Sequence, residues 1–307
     1  MDRKEFLKTL AAGSLAACVD MNGQTRAMAD TEDAQATLVA VLGGEPGAMF
    51  AKGIEEMGGM SRFVKKGQNV TIKPNMAWDL APELAGNTNP ELIAALVKSC
   101  LAAGAAKVTV FDHTCANWRS AYEMSGIEKA AQDAGAEVVS GDDKSYYREI
   151  QLPRAKNLKS ALVHQAILDC DVWFNVPVLK HHGGARMTIA MKNLMGIVWD
   201  RQAFHRNNLQ QCIADMCTLI KPATLHIVDA YRVVKSNGPR TASENDVVLA
   251  KGLFMSTDIV AVDTAAAKFF KQVENIPIEE VSHIAAGEEL GLGTMDLTKL
   301  NVKRIKM

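Results

Sequence analysis

The chain has 307 residues, which is enough to bury one large α/β core or two smaller ones. Its hydrophobic share of 48% and charged share of 22% are those of an ordinary globular protein, without low-complexity tracts or charge blocks. The formal net charge of −1 gives no general attraction to nucleic acid or to anionic membranes, so nucleic acid is not expected as a partner.

The N-terminus, residues 1–29, is predicted to be an export signal. Basic residues (Arg3, Lys4 and Lys8) precede an apolar stretch at 9–19 that is too short to span a bilayer. The segment DRKEFLK looks like a twin-arginine signal in which Lys4 takes the place of the second arginine. A frayed amphipathic helix is the alternative. We therefore expect an exported protein, either periplasmic or lipid-anchored in the cell envelope.

Two processing sites stay open in this segment. A box typical of bacterial lipoproteins ends at Cys18, whose lipid would be the protein's only membrane contact. Ordinary small-residue cleavage would instead follow Ala29. Residues 30–36 are small and polar and are predicted to be a linker. Residues 37–307 are predicted to form the α/β domain. The polar run near 145–160 is either a subdivision of that domain or a hairpin excursion within it.

Hydrophobic runs and helix signals alternate along the first half of the domain. Strands are predicted at residues 37–42, 70–72, 107–111 and 136–139. One helix is predicted to begin at Pro90, behind the N-cap Asn89, and to end at Gly104, and another covers 120–134. Strand–helix–strand units at this spacing favour parallel pairing with right-handed crossovers.

The second half continues the alternation. Strands are predicted at residues 172–179, 225–228 and 247–255, and helices at 161–168, from Leu209 to Ile220, and from a cap at Thr257 to Phe270. Together these elements predict an α/β fold with three αβα layers around a mostly parallel sheet.

The cysteines are spaced without any Cys-x-x-Cys pair. If cleavage follows Ala29, the six cysteines of the chain lose Cys18 and an odd number remains, which leaves at least one free thiol or an intermolecular disulfide. Cys100 and Cys170 lie among apolar neighbours and are predicted to be buried. This spacing encodes neither a zinc ribbon nor an iron–sulfur cluster, so an iron–sulfur centre is not expected.

Unusual polar residues follow four of the predicted strands. They are Lys73 with Asn75, Asp112 with His113, Lys180 with His181 and His182, and Asp229. Because open parallel sheets bind ligands at the carboxyl ends of their strands, we expect these side chains to meet at one rim. A helix cap or a turn is an equally good local explanation for Asp112 and Asp229.

The segment from Lys180 to Arg206 carries cations and imidazoles beside glycines, which a core does not need because buried charge is costly. We predict catalytic roles for Lys180, His182, Lys192 and His205, with His182 and His205 also as candidate metal ligands. We predict that a cofactor or an anionic ligand is bound by Lys73, Asn75, Asp112, Asn193 and Asp229. A solvated basic loop is the alternative for the whole segment.

Several motifs carry a family resemblance. They are Ile72-Lys73-Pro74-Asn75, Asn175-Val176-Pro177, Lys180-His181-His182 and Lys192-Asn193-Leu194-Met195-Gly196, followed by His205 and Asp229. Over most of residues 37–270 the chain resembles the family catalogued as domain of unknown function 362. Members of that family often carry cysteine clusters for four-iron four-sulfur centres, and this sequence departs from the family in having no such cluster.

A second resemblance concerns the site. His182, Lys192 and His205 are similar to the histidine–lysine–histidine series of the lactate racemase family, which binds a nickel-pincer nucleotide through its lysine. The resemblance implies a site in the same part of a similar fold. It leaves a divalent metal or a nucleotide-derived group as the candidate cofactors.

These observations predict an exported enzyme of redox or isomerase type that acts on a small anionic molecule. Anion binding is expected from Lys73, Asn75, Lys180 and Asn193. His182 or His205 would transfer protons or hold a metal, and Lys192 would act as a base or a covalent anchor. A non-catalytic ligand-binding lipoprotein with the same rim is the alternative, and a structural or assembly protein with a decayed site is the third possibility.

Overall fold

The computed structural model describes residues 37–307, so the predicted signal, the anchor at Cys18 and the linker lie outside the described residues. The strands are β1 (Leu38–Leu42), β2 (Asn69–Pro74), β3 (Lys107–Val110), β4 (Glu137–Val138), β5 (Tyr147–Gln151), β6 (Ser160–His164), β7 (Val172–Val176), β8 (Val178–His182), β9 (Arg186–Thr188), β10 (Leu225–Val234), β11 (Val247–Ser256) and β12 (Val302–Lys306). The helices are α1 (Pro46–Glu56), α2 (Pro90–Ala102), α3 (Trp118–Met124), α4 (Ile127–Asp133), α5 (Gln165–Leu168), α6 (Ala190–Asn193), α7 (Gln202–Arg206), α8 (Leu209–Met216), α9 (Ile259–Phe270) and α10 (His283–Glu289).

One ten-stranded sheet organises the described residues. Its order is β12-β1-β11-β10-β7-β2-β3-β4, and β8 continues β7 beside β10 and pairs with β9. Most neighbours are parallel, whereas β11 runs antiparallel to both β1 and β10, and β9 runs antiparallel to β8. The parallel half places the ends of β2, β3 and β8 at one edge of the sheet, which is where an open sheet presents its loops.

Helices cover both faces of the sheet. Helices α1 to α4 pack on one face, where buried side chains such as Phe50, Leu92 and Ile127 form one core. Helices α6, α8, α9 and α10 pack on the other face around a second core that includes Met191 and Ile213. The predicted fold, three αβα layers with a mostly parallel sheet, is therefore confirmed. Within residues 37–307, no helix combines the length and the apolar composition that a bilayer span requires.

Four predicted elements were wrong in type or extent. The helix predicted at 120–134 is divided into α3 and α4, and the helix predicted to run to Ile220 ends at Met216. Residues 161–168 were expected to be helical, but β6 occupies 160–164 and only 165–168 form a helix. Strand β6 forms because it pairs antiparallel with β5, a tertiary partner that local periodicity does not reveal. The predicted strand at 172–179 is divided at Pro177, which lies between β7 and β8 and lacks the N–H that a strand interior needs.

Smaller corrections concern element ends. The N-cap of α9 is Asp258 rather than Thr257, since the Asp258 carboxylate accepts the N–H of Ala261 at 2.8 Å. Strands β2, β8 and β10 run further than predicted, so Lys73 and Lys180 lie within strands and not after them.

The polar run near 145–160 contains the antiparallel hairpin of β5 and β6. A hairpin was one of the two expectations for this run, and the domain boundaries themselves stay a prediction.

A buried carboxylate anchors the loop between β5 and β6. Asp215 of α8 is 0% exposed and accepts the backbone N–H groups of Lys156, Asn157 and Leu158 at 2.9, 2.6 and 2.8 Å. The amide of Gln211 donates to the same carboxylate at 3.0 Å. One carboxylate therefore satisfies three backbone donors of a loop that no strand or helix organises.

We expect Asp215→Ala to lower the free energy of unfolding by about 3 kcal/mol, because it leaves buried backbone donors without acceptors. Urea unfolding at an unchanged slope measures the loss. Asp133→Ala is the control, since it removes only the exposed pair with Lys129 and is expected to cost less than about 0.5 kcal/mol. Equal losses in the two variants would contradict the anchoring role.

Candidate functional site

A cavity of about 350 Å³ opens where β2, β3 and β8 end. All but one of the predicted site residues line it: Lys73, Asn75, Asp112, Lys180, His182, Lys192, Asn193 and His205. Residues from four separate parts of the chain are thus brought together, as expected for loops at one edge of a parallel sheet. Their chemical roles stay predictions.

The exception is Asp229, whose predicted place in the site is corrected by the structure. Its carboxylate accepts the backbone N–H of Asn89 at 2.7 Å and that of Tyr231 at 2.9 Å. These bonds tie the start of α2 to β10, and the side chain does not line the cavity. Burial raises the pKa of Asp229 to about 6. The turn explanation, open from the sequence, therefore applies to this aspartate.

The floor of the cavity is an ion pair between β2 and the residue that follows β3. Nζ of Lys73 lies 2.8 Å from Oδ1 of Asp112 and donates to Oδ1 of Asn193 at 2.8 Å and to the carbonyl of Pro74 at 2.7 Å. Lys73 is 1% exposed, and its buried charge is matched within the protein by the Asp112 carboxylate and by two hydrogen-bond acceptors. Burial lowers the pKa of Lys73, and the attraction of Asp112 opposes this effect.

Gly196 packs directly against this ion pair. A Cβ atom at this position would lie 2.1 Å from Oδ1 of Asp112 and 2.6 Å from Nζ of Lys73. The carbonyl of Gly196 also accepts the N–H of His113 at 3.0 Å. The close approach therefore requires glycine, and it joins the segment after α6 to the loop after β3.

Asparagine side chains extend the floor toward Lys180. Asn75 donates from Nδ2 to Oδ1 of Asn193 at 3.0 Å, and its own Oδ1 accepts from Nζ of Lys180 at 3.0 Å. The Lys180 ammonium also donates to the carbonyl of Gly86 at 2.6 Å, which leaves one N–H for the cavity. Lys180 is 1% exposed, and burial lowers its pKa to about 7.

The short helix α6 carries both Lys192 and Asn193 and is held by a residue that sequence reasoning did not assign to the site. The buried carboxylate of Asp263 accepts the N–H groups of Ala190 and Met191 at 2.7 and 2.9 Å. These are the orphan donors of the first turn of α6. No local signal in the sequence shows which distant helix Asp263 caps.

Lys192 differs from the other two lysines because its ammonium has no hydrogen-bond acceptor or ion-pair partner among residues 37–307. It is partly exposed to the cavity, and burial lowers its pKa to about 8. An ammonium without a protein partner at the wall of a cavity is available to a ligand.

His182 presents an N–H to the cavity. Its Nδ1 accepts the backbone N–H groups of Gly184 and Ala185, both at 3.1 Å, so we assign the ring proton to Nε2. Burial lowers the pKa of His182 to about 3, with the nearby charges of Lys192 and Lys180 adding to the effect. The ring is therefore neutral at physiological pH and acts as a hydrogen-bond donor.

His113 is a cavity residue that sequence reasoning noted after β3 but did not select. Its Nδ1 lies 2.8 Å from the carbonyl of Val198 and must donate to it, which leaves Nε2 unprotonated. The ring stacks on Trp199 with 5.0 Å between centroids and is 8% exposed. Burial lowers the pKa of His113, and among residues 37–307 Nε2 has no partner. The available signal was the pair Asp112-His113 directly after a strand.

Arg201 fixes the loop after β3 from the opposite side. Its guanidinium donates to the carbonyls of His113 and Thr114 at 3.0 and 2.6 Å and to Sγ of Cys115 at 3.1 Å. His205 also lines the cavity but is exposed, and burial with the charge of Lys192 lowers its pKa. Arg201 is thus a site residue that the sequence analysis left unassigned.

The described lining is strongly cationic. It contains Lys73, Lys180, Lys192 and Arg201 but only one carboxylate, that of Asp112. Because Asp112 is already paired with Lys73, the remaining cations have no compensating side-chain charge among the described lining residues.

The fold and the site define an α/β protein with a cationic cavity at the carboxyl edge of its sheet. The family described as "Domain of unknown function (DUF362)" matches residues 70–268, so the chain belongs to that family. The chain is also 26% identical over 247 residues to a thylakoid-associated protein from Synechocystis sp., a match that covers 78% of this chain and 73% of the relative.

Two solved structures resemble this one. The lactate racemase apoprotein from Thermoanaerobacterium thermosaccharolyticum has a TM-score of 0.48 and 13% identity, over 76% of this chain and 57% of the other. A protein from Thermotoga maritima has a TM-score of 0.41 and 10% identity, over 75% of this chain and 60% of the other. The chain thus spans less than two thirds of either protein. The expected similarity to lactate racemase is found, but at this TM-score it carries no argument about chemistry.

We expect Gly196→Ala to lower the free energy of unfolding by about 3 kcal/mol, since its Cβ would enter the buried ion pair and separate the two charges. Thermal or urea unfolding measures this. Gly183→Ala is the matched control, because a Cβ at Gly183 meets nothing within 4 Å. If both variants unfold like the parent protein, the close packing at Gly196 does not support the site.

Proposed function

We propose that the cavity binds a small anion and that the protein is an enzyme of isomerase type that transfers a proton on this ligand. The observation that carries the proposal is the excess of cations in the lining, above all the unpartnered ammonium of Lys192. Lys180 contributes its remaining N–H, and Arg201 contributes charge. A concave site with convergent cations concentrates anions and selects carboxylates or phosphates.

Two imidazoles of the lining, those of His113 and His182, supply the proton chemistry. His182 offers an N–H at Nε2, whereas His113 offers a lone pair at the same atom, and both rings line one cavity. A neutral imidazole can accept a proton from a bound ligand, and another can donate a hydrogen bond or a proton to it. Opposite protonation of two rings suits abstraction of a proton at one position of the ligand and its return at another.

The predicted binding roles of the floor residues are revised in this proposal. The polar atoms of Lys73, Asn75, Asp112 and Asn193 bond mainly to one another. They therefore shape and polarise the floor, and the ligand is bound by Lys192 and Lys180 beside the two imidazoles. Lys192 and Lys180 keep their predicted catalytic roles as proton carriers, because pKa values of about 8 and 7 lie near physiological pH.

A divalent metal held by side chains does not fit the described residues. Among residues 37–307 there is no group of three or more His, Cys, Asp or Glu side chains placed to hold one. The tautomer of His182 also points a proton, and not a lone pair, into the cavity. His182 and His205 were predicted as candidate metal ligands, and the proposed function does not use them in that role. A redox reaction or a nucleotide-derived cofactor stays a prediction from the sequence.

Export is proposed from the sequence. The signal at residues 1–29 supports a periplasmic protein, or an envelope protein lipidated at Cys18. The relative from Synechocystis sp. is described as thylakoid-associated, which is compatible with attachment to a membrane. The intact mass of the protein from its native host distinguishes cleavage after Ala29 from lipidation. The second candidate is a non-catalytic binding lipoprotein, which would bind a ligand in the same cavity but would not convert it.

We expect Lys192→Gln to weaken sulfate binding at pH 7 by about tenfold, because among the lysines of the described lining Lys192 is the one whose charge has no protein partner. Isothermal titration calorimetry gives the affinity. Lys98→Gln is the control: Lys98 is an exposed residue of α2 outside the cavity, and its loss is expected to change the affinity less than twofold. Similar affinities in both variants would argue against an anion site at Lys192.

Sulfate affinity is expected to fall as the pH rises from 6 to 9. Lys180 and Lys192 are cationic below their pKa values of about 7 and 8, and each loses its charge as the pH passes that value. Sulfate stays a dianion over this range, so the change belongs to the protein. Over this pH range we expect the sulfate affinity to fall by at least about tenfold in total. The Lys192→Gln variant should lack the part of this fall that occurs at the higher pH values. A pH-independent affinity would contradict the assignment.

The isomerase proposal predicts ligand-dependent proton exchange. A panel of small chiral carboxylates in D₂O, followed by NMR, should identify a compound that takes up deuterium at carbon. His113→Gln and His182→Gln are each expected to slow this exchange by about 10²- to 10⁴-fold while sulfate affinity stays within about threefold. If no compound exchanges while sulfate still binds, the binding-lipoprotein alternative is preferred.

A further inference from the structure

A free thiol lies in the cationic cavity. Cys115 lines the cavity and is exposed, whereas Cys100, Cys170, Cys212 and Cys217 are buried. Sγ of Cys115 accepts a hydrogen bond from the guanidinium of Arg201 at 3.1 Å. Among the cysteines that the structure describes, it is thus the one that a reagent in the cavity can reach.

The surroundings of this thiol are those of a built site. His113 and Thr188 are 8% and 3% exposed and line the same cavity, yet neither Nε2 of His113 nor the hydroxyl of Thr188 has a partner within residues 37–307. These side chains are almost wholly buried, and their free polar atoms reach the cavity, where a polar ligand can complete their hydrogen bonds. Cys115 also interacts electrostatically with Lys180 and Lys192. The sulfur therefore stands beside a polar ligand position and within a positive field.

We infer that Cys115 is a modification site that forms a mixed disulfide with small, carboxylate-bearing disulfides. The Cys115 thiolate attacks one sulfur of the reagent, a new S–S bond forms, and the old one breaks. The leaving sulfur departs with the electron pair as a thiolate and takes a proton from solvent. Cys115 is oxidised and the leaving thiol is reduced, so the reagent is the only oxidant needed.

The cavity selects the reagent by charge and size. Cations near Sγ raise the local concentration of anionic reagents. The cavity, with a volume of about 350 Å³, admits only small molecules. The added carboxylate would lie where the proposed anionic ligand binds, so modification blocks the site. The other described cysteines are buried, so none of them can displace the adduct, and an external thiol reverses it.

Three disulfides of similar size and different charge test the inference: dithiodiglycolate, bis(2-hydroxyethyl) disulfide and cystamine. The purified full chain is treated at pH 7.5 and low salt, and peptide mass mapping follows the adduct at residue 115. The matched control carries Cys115→Ser with Ser61→Cys, which moves the thiol to an exposed position outside the cavity.

At Cys115 we expect the anionic reagent to react about tenfold faster than the neutral one, and the cationic reagent to react slowest. At position 61 the three rates should agree within about threefold, and 0.5 M salt should reduce the preference at Cys115 because it screens the cations. The same order of rates at both positions, or no adduct at Cys115, would overturn the inference.

The inference rests on the cationic cavity of the proposed function but not on its proton transfer. Sulfate should protect Cys115 from dithiodiglycolate, and the adduct should abolish sulfate binding. If sulfate binds but neither protects the thiol nor alters the order of rates, this inference fails and the anion site stands. If sulfate does not bind but dithiodiglycolate still reacts fastest, the proposed function fails and the modification site stands.

Discussion

The buried ion pair of Lys73 and Asp112 is the interaction on which the site depends. A lysine taken out of water is costly unless its charge and all its N–H groups are matched. Here the match comes from three directions: the carboxylate after β3, a carbonyl at the end of β2, and the amide oxygen of Asn193 at the end of α6. Adjacent parallel strands place the first two groups, so the sheet itself builds the pair.

The pair then determines what the other polar residues can do. It occupies Asp112, the only carboxylate of the described lining, so the cations farther up the wall have no internal counter-ion. Lys73 also holds the side chain of Asn193. Asn193 accepts a hydrogen bond from Asn75, and Asn75 accepts one from Lys180, so the positions of these side chains depend on the ion pair. Lys192 is left with a free ammonium. The polar groups of the floor are paired with one another, whereas cations in the walls have no counter-ion. A preorganised anion site needs this arrangement.

The segment after β9 converts this floor into a cavity with positioned side chains. Helix α6 has only four residues and is too short to be stable alone, so Asp263 caps it from α9 and Asn175 donates to the carbonyl of Ala190 at 2.9 Å. Gly196 then lets the chain pass against the ion pair. Support from the sheet and from α9 holds Lys192 without using its charge. Lys192 is therefore held rigidly while its ammonium stays free, whereas the ammonium of Lys73 is paired within the protein.

Local pattern in the sequence was sufficient for the fold class and for the place of the site. Hydrophobic periodicity identified most strands and helices, and polar residues at strand ends identified Lys73, Asp112, Lys180 and His182, because parallel topology forces such ends to one edge. Tertiary contacts alone decided the rest. The strand at 160–164 needs β5 as its partner, and the carboxylates of Asp229 and Asp263 find backbone donors more than seventy residues away. The tautomers of His113 and His182 depend on carbonyl and N–H groups that only folding brings to them. Sequence specifies which groups are present, whereas long-range hydrogen bonds determine which of them stay free to act.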